Sequence, residues 1–168
     1  MTEVVYIGLG ANLNEPEKTI HLAIDALSEL PDCQFFGVSK IYRSAPMGPA
    51  DQPDYINCVV ALETSLTAAT LFDHTCTIEQ QHGRTRDGEH WGPRTLDLDL
   101  LLYDDIVSSQ PIELPRAEIL YNAFVLWPLA EVAPSLLHPV VNQSYQTLWD
   151  NYDKQQQSLW PVEFNWSA

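Results

Sequence analysis

Positively charged residues are scarce in this chain of 168 residues. Eight Lys and Arg residues stand against 23 Asp and Glu residues, which gives a formal net charge of −15. A surface of that sign repels nucleic acid and anionic membranes unless cations are concentrated somewhere. We therefore expect neither nucleic acid nor a membrane as a partner, and the placement of the few cations becomes informative.

Cysteines and long apolar runs are also rare. Cys33, Cys58 and Cys76 form no close pair or repeated spacing, so they predict neither a disulfide framework nor a zinc site. The longest apolar stretch, 123–130, is interrupted by Pro128 and is far shorter than the ~20 residues that span a bilayer. Glycine and asparagine break the N-terminal region before any apolar export signal can form. We expect a soluble, cytoplasmic protein.

The size and pattern of the chain predict one domain. A 45% hydrophobic chain of this length can bury a core without disulfides. Repeats, low-complexity runs and dividing linkers are absent, so we expect a single domain over 1–168, with 140–168 its least regular part. Strands and helices alternate with short connections, which favours an α+β fold with helices packed on a mixed sheet.

Hydrophobic periodicity predicts where the elements lie. Strands are expected at 4–9, 34–42, 58–62 and 95–103, with a turn at 10–13, and helices at 15–30 and 68–82. Thr67 is the expected N-cap of the second helix, and Gly83 is placed to end it. The apolar stretch 123–133 is predicted as a strand leading into a short helix, 44–54 as a loop, and the tail from 141 shows no clear periodicity.

Two aspartates alternate with leucines in the strand predicted at 95–103. Residues two apart on a strand share a face, so Asp97 and Asp99 present neighbouring carboxylates while the leucines between them face the core. Mg²⁺ is commonly held by one or two carboxylates together with substrate phosphates. The alternative is the solvated face of an amphipathic edge strand, although aspartate is disfavoured in strands.

A cluster of cations precedes this strand. Arg84, Arg86 and Arg94 offer planar donor forks that suit phosphate oxygens, and Trp91 lies between them. Together with the two aspartates, they predict a polyphosphate site. The alternative is a set of surface ion pairs with the nearby acids Glu79, Asp87 and Glu89. Walker and protein-kinase glycine-loop motifs are missing, so any phosphate transfer uses another fold.

The run from Arg84 to Asp99, with its core Trp91-Gly92-Pro93-Arg94-Thr95-Leu96-Asp97-Leu98-Asp99, resembles the signature of the 6-hydroxymethyl-7,8-dihydropterin pyrophosphokinases of folate synthesis. Further resemblance lies at 8–13, 48–57 and 124–131. It implies a ferredoxin-like α+β monomer that transfers pyrophosphate from ATP to the pterin and releases AMP.

The same resemblance implies roles for individual residues. Asp97 and Asp99 are expected to hold two Mg²⁺ ions. The residues expected at the pterin are Ser44, Met47, Tyr55, Asn57 and Phe124. The residues expected at ATP are Glu79, Arg84, Arg86, Arg94, Leu100 and Arg116. Arg84, Trp91 and Arg94 are expected to act in catalysis with the two aspartates, on a loop that closes over the substrates.

Three positions depart from the family pattern. Arg116 stands where a histidine is common, Asn122 where an arginine is common, and Cys76 where the helix residue that reads the nucleotide is often glutamine. Losing the cation at Asn122 costs about 1–3 kcal/mol if a phosphate is left unpaired, and Arg116 supplies a compensating charge. We predict altered ATP affinity with the chemistry retained. The alternative is a catalytically weakened paralogue that binds pterin or nucleotide.

Overall fold

A computed structural model describes residues 2–11, 16–44, 55–81, 96–110, 112–154 and 159–162, with the backbone alone for Ser44 and for 159–162. The strands in these ranges are β1 (Glu3–Ala11), β2 (Cys33–Val38), β3 (Ile41–Ser44), β4 (Tyr55–Thr64), β5 (Asp97–Tyr103) and β6 (Leu159–Val162). The helices are α1 (Pro16–Ser28), α2 (Ala68–Gln81), α3 (Ala123–Val132) and α4 (Tyr145–Asp150), with a 3₁₀ turn at Ala117–Leu120.

The strands form one antiparallel sheet in the order β5-β1-β4-β3-β6. The long strand β4 pairs with β3 through its first residues and with β2 through its last residues. If β2 and β3, which pair with successive parts of β4, are counted as one interrupted strand, the chain follows the β-α-β-β-α-β order of ferredoxin-like folds. The predicted α+β class is confirmed, and the sheet is antiparallel in the part of the chain described.

Both faces of the sheet are covered. On one face α1 and α2 bury a core that contains Ile20, Ile24, Leu71 and Ile78 against alternate residues of β1, β4 and β5. On the other face α3 and α4 pack a second core over the opposite alternates. A strand buried on both faces reads as a continuous apolar run, and this is how the middle of β4, residues 58–62, reads.

The helix α2 begins where the sequence places its cap. Thr67 Oγ1 accepts a hydrogen bond from Thr70 N at 3.1 Å, which satisfies one of the open N–H groups of the first turn. Gly83, expected to end this helix, lies outside the described residues. At the N-terminal end of the chain, β1 continues through Gly10 and Ala11, which were predicted to begin a turn.

Two strand predictions were also wrong. The strand expected at 34–42 is two strands, β2 and β3, because regular strand structure is interrupted at Ser39 and Lys40, where Lys40 N donates to Glu131 Oε2 at 3.1 Å. The strand expected at the start of 123–133 is the first turn of α3, which runs unbroken through this stretch. This helix packs on the sheet and on α4, so it is apolar around most of its surface and shows no helical period.

The C-terminal part of the chain is more regular than its sequence predicts. It contains α4, capped by Ser144 Oγ, which accepts from Thr147 N at 3.1 Å, and the strand β6. Aromatic rings join this part to the sheet: Trp127 lies 4.7 Å from the ring of Tyr42 and stacks at 4.9 Å on Trp149. Within the described ranges, no helix has the length and apolar character needed to cross a membrane.

Candidate active site

The two aspartates lie on one face of β5, as the alternation predicts. Asp97 and Asp99 are half-exposed, while Leu96, Leu98 and Leu100 are buried in the core under α1 and α2. A bulge follows in β5, because Ile7 pairs with Leu100 and Tyr6 with Leu102. The bulge ends the alternation, so the strand is buried on both faces beyond the acids.

Position at the sheet edge does not by itself decide between a metal site and a solvated face, because β5 is an outer strand of the sheet that the described residues form. The neighbouring strands distinguish the two. Gly10 pairs with Asp97 on one side and with Asn57 on the other, so these three residues form one row on one face. A Cβ at Gly10 would lie 2.7 Å from Asn57 Oδ1, so the amide lies over this glycine. The row spans two strand spacings, roughly 10 Å.

The same face carries most of the other residues expected at the pterin. Tyr55 is two residues from Asn57 on β4 and therefore shares its face, and it is partly buried. Ser44 pairs with Tyr55 in the backbone ladder. Phe124, in the first turn of α3, is partly buried against the second core, which covers this face further along the sheet. Packing explains some of the burial of Phe124, and stacking on a pterin stays a prediction.

Arg116 lies beside the acids. Its Nη2 is 3.7 Å from Asp99 Oδ1, and its backbone N donates to Leu101 O, at the bulge, at 2.9 Å. Burial alone would lower the pKa of Arg116, but the charges of Asp99 and Glu118 raise it above its ordinary value. The side chain therefore brings a fixed positive charge to the predicted phosphate side.

Glu118 joins Arg116 to Asn122. Its Oε1 accepts from Arg116 Nη2 at 2.8 Å and from Nε at 3.2 Å, while its Oε2 accepts from Asn122 Nδ2 at 2.8 Å. Asn122 is 3% exposed and precedes α3. Two of the three positions expected to depart from the family pattern thus belong to one hydrogen-bonded group. Sequence reasoning missed Glu118; the only signal was its helical spacing of four residues from Asn122.

Glu79 has a structural contact. Its Oε2 accepts from the backbone N of Leu98 at 2.8 Å, and the residue is only 3% exposed. Leu98 lies between the two aspartates, so this bond from α2 fixes the strand that carries them. The side chain of Leu100 is in the core, which leaves only its backbone for an ATP contact. ATP contacts by Glu79 and Leu100 remain predictions.

The remaining predicted residues cannot all be located. Met47, Arg84, Arg86, Trp91 and Arg94 lie outside the described residues. Cys76 is partly buried on α2, one helical turn before Glu79, and forms no disulfide. The described part of the site therefore has three parts. They are the two aspartates of β5, the residues Gly10 and Asn57 in the same row as Asp97, and the hydrogen-bonded residues Arg116, Glu118 and Asn122.

The donor set of Asp97 and Asp99 suits a hard divalent cation that brings other ligands with it. Carboxylate oxygens match Mg²⁺, which keeps waters and takes phosphate oxygens readily. Among the described residues, no group of three or more His, Cys, Asp or Glu side chains could hold a metal by itself. The two carboxylates therefore fit a metal shared with a polyphosphate better than a closed protein site.

Comparison with solved structures shows the class of fold. A Plasmodium falciparum HPPK-DHPS chain crystallised with pteroate superposes with a TM-score of 0.73 at 13% identity, and the match covers 93% of this chain and 44% of that one. The chain therefore spans less than half of the solved protein it resembles. At this identity the likeness shows the fold alone.

Comparison with sequence families is more specific. The family model for 7,8-dihydro-6-hydroxymethylpterin-pyrophosphokinase (HPPK) matches residues 6–134. The chain is 46% identical over 140 residues to a 2-amino-4-hydroxy-6-hydroxymethyldihydropteridine pyrophosphokinase of Pseudomonas aeruginosa, covering 83% of this chain and 86% of that one. A Haemophilus influenzae protein of the same name is 42% identical over 135 residues, with coverage of 80% and 84%. The chain belongs to the HPPK family.

Proposed function

We propose that this chain transfers the terminal pyrophosphate of ATP to the hydroxymethyl group of 6-hydroxymethyl-7,8-dihydropterin, in folate synthesis. The hydroxymethyl oxygen forms a bond to the β-phosphorus, the bond from that phosphorus to the α,β-bridging oxygen breaks, and AMP leaves. The hydroxyl proton passes to solvent or to a nearby base. The single observation that carries this proposal is the row Asp97-Gly10-Asn57 on one sheet face, in a chain of the HPPK family.

In this proposal, Asn57 and Tyr55 orient the pterin. The Asn57 amide offers both a donor and an acceptor to the pyrimidine-like edge of the ring, and Tyr55 and Phe124 supply flat surfaces on which it stacks. The bare backbone at Gly10 leaves room for the Asn57 amide to lie over β1, between β4 and the acids of β5. The residues of β4 and α3 thus bring the attacking oxygen to the phosphate side.

On the phosphate side, Asp97 and Asp99 would hold Mg²⁺, and two ions are proposed with ATP. When bound, such ions neutralise the triphosphate and orient it for in-line displacement. Arg116 contributes a protein cation beside Asp99. Arg84, Arg86, Arg94, Trp91 and Met47 keep the roles proposed for them from the sequence.

We further propose that the protein acts as a cytoplasmic monomer with Mg-ATP and the pterin as its substrates. The three cysteines, all within the described residues, form no disulfide, which suits a reducing compartment. Size-exclusion chromatography with light scattering would test the oligomeric state; a stable dimer would contradict the proposal.

The decisive experiment follows nucleotide products. Protein, ATP, Mg²⁺ and the pterin are incubated and the nucleotides are separated by chromatography, with Asp97→Asn as the test variant and Asp105→Asn as the matched control. Asp105 is an exposed acid just beyond β5. We expect stoichiometric AMP from the wild type and the control, and at least a roughly 100-fold slower reaction for Asp97→Asn, because loss of a metal ligand costs at least as much as loss of its supporting contacts.

The other outcomes are equally informative. ADP as the product would indicate ordinary phosphoryl transfer and would refute pyrophosphate transfer. Pterin binding without any nucleotide product would favour the second candidate, a binding module without catalysis. The observation that motivates this candidate is the buried amide of Asn122 at a position where the family commonly has an arginine.

A further inference from the structure

We propose that Arg116 acts as a stand-in cation at Asp99 until a divalent ion binds, and that Glu118 is the positioning residue that holds Arg116 there. This inference rests on the proposed function, since it assigns Asp99 to the metal. It concerns three side chains that lie together on the described part of the site: Asp99, Arg116 and Glu118.

The distances divide the contacts of Arg116 into a strong one and a weak one. Its Nη2 and Nε donate to the same oxygen of Glu118, at 2.8 Å and 3.2 Å. The distance from Nη2 to Asp99 Oδ1 is 3.7 Å, which is an ion-pair distance and too long for a hydrogen bond. Arg116 is therefore bound to Glu118 and only attracted to Asp99, so it can leave Asp99 while it stays attached.

Glu118 is itself held from two sides. Its second oxygen accepts from Nδ2 of the buried Asn122, and its backbone O accepts from Asn122 N at 2.9 Å. On the other side of Arg116, the bond from Arg116 N to Leu101 O ties the segment to β5. The carboxylate of Glu118 thus has a fixed position between β5 and α3. Its hydrogen bonds to Arg116 limit how far the guanidinium can move.

The charges give this arrangement a consequence. Asp99 and Glu118 carry two negative charges and Arg116 one positive charge, and the Arg116 side chain is 34% exposed, so the interactions are only partly screened. A positive charge beside Asp99 opposes a divalent ion at the same carboxylate. The same charge attracts the phosphate oxygens of ATP once the ion has taken Asp99. Arg116 therefore acts with opposite sign on free metal and on nucleotide.

The test measures both bindings separately, without turnover. Binding of Mn²⁺ alone is measured by the loss of the free-ion paramagnetic resonance signal. Binding of an ATP analogue with an α,β-methylene bridge, whose bond cannot be cleaved, is measured by calorimetry in saturating Mg²⁺. For Arg116→Ala we expect Mn²⁺ to bind about 10-fold tighter and the analogue about 10-fold weaker, as removal of one nearby charge implies.

The matched control is Arg43→Ala. Arg43 is another half-exposed arginine in an ion pair, with Nη2 3.2 Å from Glu17 Oε1, but its register partner Ile56 belongs to the core under α1 and α2, on the opposite face. We expect neither binding to change in this variant. Shifts of the same sign for Arg116→Ala, or Mn²⁺ binding that is unchanged or undetectable in both proteins, would overturn the proposal.

The role of Glu118 is tested with a double-mutant cycle. Glu118→Gln keeps the shape and removes the charge, and we expect it to weaken binding of the ATP analogue about 5-fold in the wild type and not at all in Arg116→Ala, because Glu118 acts through Arg116. An equal loss in both backgrounds would show that Glu118 acts independently. The AMP assay on the wild type tests the proposed function separately. If AMP fails to form while Mn²⁺ binding and ATP-analogue binding shift in opposite directions in Arg116→Ala, the proposed function fails and the role of Arg116 as a stand-in cation remains.

Discussion

At the scale of single residues, a missing side chain shapes the site as much as those present. Gly10 lies inside β1 and not in a turn, and the Asn57 amide occupies the space that a Cβ would need. From the sequence, Gly10 was predicted to begin a turn at 10–13, because glycine is common in turns. Close approach of a neighbouring side chain depends on strand register, which a single sequence does not show.

Another residue whose role emerges only from the structure is His138. It is 3% exposed, and its Nδ1 accepts from Val140 N at 3.1 Å and from Val141 N at 3.2 Å. Burial lowers the pKa of His138 below the ordinary 6.5. The neutral ring with an unprotonated Nδ1 is therefore the form that the fold requires.

This predicts how stability depends on pH. The folded state binds a proton at His138 less readily than the unfolded state, so the contribution of this residue is fully present above pH 6.5 and is lost as the pH falls from 6.5 towards the folded pKa. In urea unfolding between about pH 7 and 5, we expect the wild type to lose stability more steeply than His138→Asn, which keeps an acceptor but does not titrate. The difference in slope is at most about 1.4 kcal/mol per pH unit. Equal slopes would show that the histidine is already open to solvent.

At the scale of elements, the alternating part of β5 could be predicted and its continuation could not. The leucine-aspartate alternation from Leu96 to Leu100 gave the face of each acid correctly. The bulge after it depends on how β1 pairs with β5, a long-range contact without a local signal. The start of helix α3 was predicted wrongly because the helix packs on two sides, which removes the hydrophobic period that would identify it.

The C-terminal segment from 141 onwards is the part of the fold that the sequence predicted least well. Strand β6 pairs with β3 along its whole length, from Ile41 to Ser44, and β3 pairs with the Tyr55 end of β4. Without β6, the strand next to the predicted pterin site would become the outer strand. The C-terminal segment therefore supports the site from the side opposite β5.

Truncation after Lys154 tests this support. We expect the free energy of unfolding to fall by on the order of 2 kcal/mol, since several backbone hydrogen bonds between β3 and β6 are lost. Pterin binding, followed by fluorescence, should weaken about 10-fold while binding of the ATP analogue changes little. Truncation after Val162 keeps β6 and is the control. If both truncations bind the pterin like the full chain, β6 does not contribute to the site.

At the scale of the whole molecule, the dominant property is the net charge of −15. Repulsion among carboxylates opposes the compact state, and salt screens it. We expect the melting temperature in metal-free buffer to rise between about 10 mM and about 300 mM NaCl. Each kcal/mol gained in the free energy of unfolding corresponds to a rise of about 2–4 °C. The same rise in choline chloride would show that the cause is screening and not the binding of sodium. A fall would mean that attractive pairs such as Arg43 with Glu17 outweigh the repulsion.

The outer position of β5 has one more consequence for the molecule. An outer strand offers unpaired backbone groups on which a second molecule can add its own strand, a common start of aggregation. Here Glu79 takes up the N–H of Leu98, and Asp97 and Asp99 place negative charge on either side of it. The acids proposed to handle the phosphates thus also protect the protein from joining copies of itself at this edge.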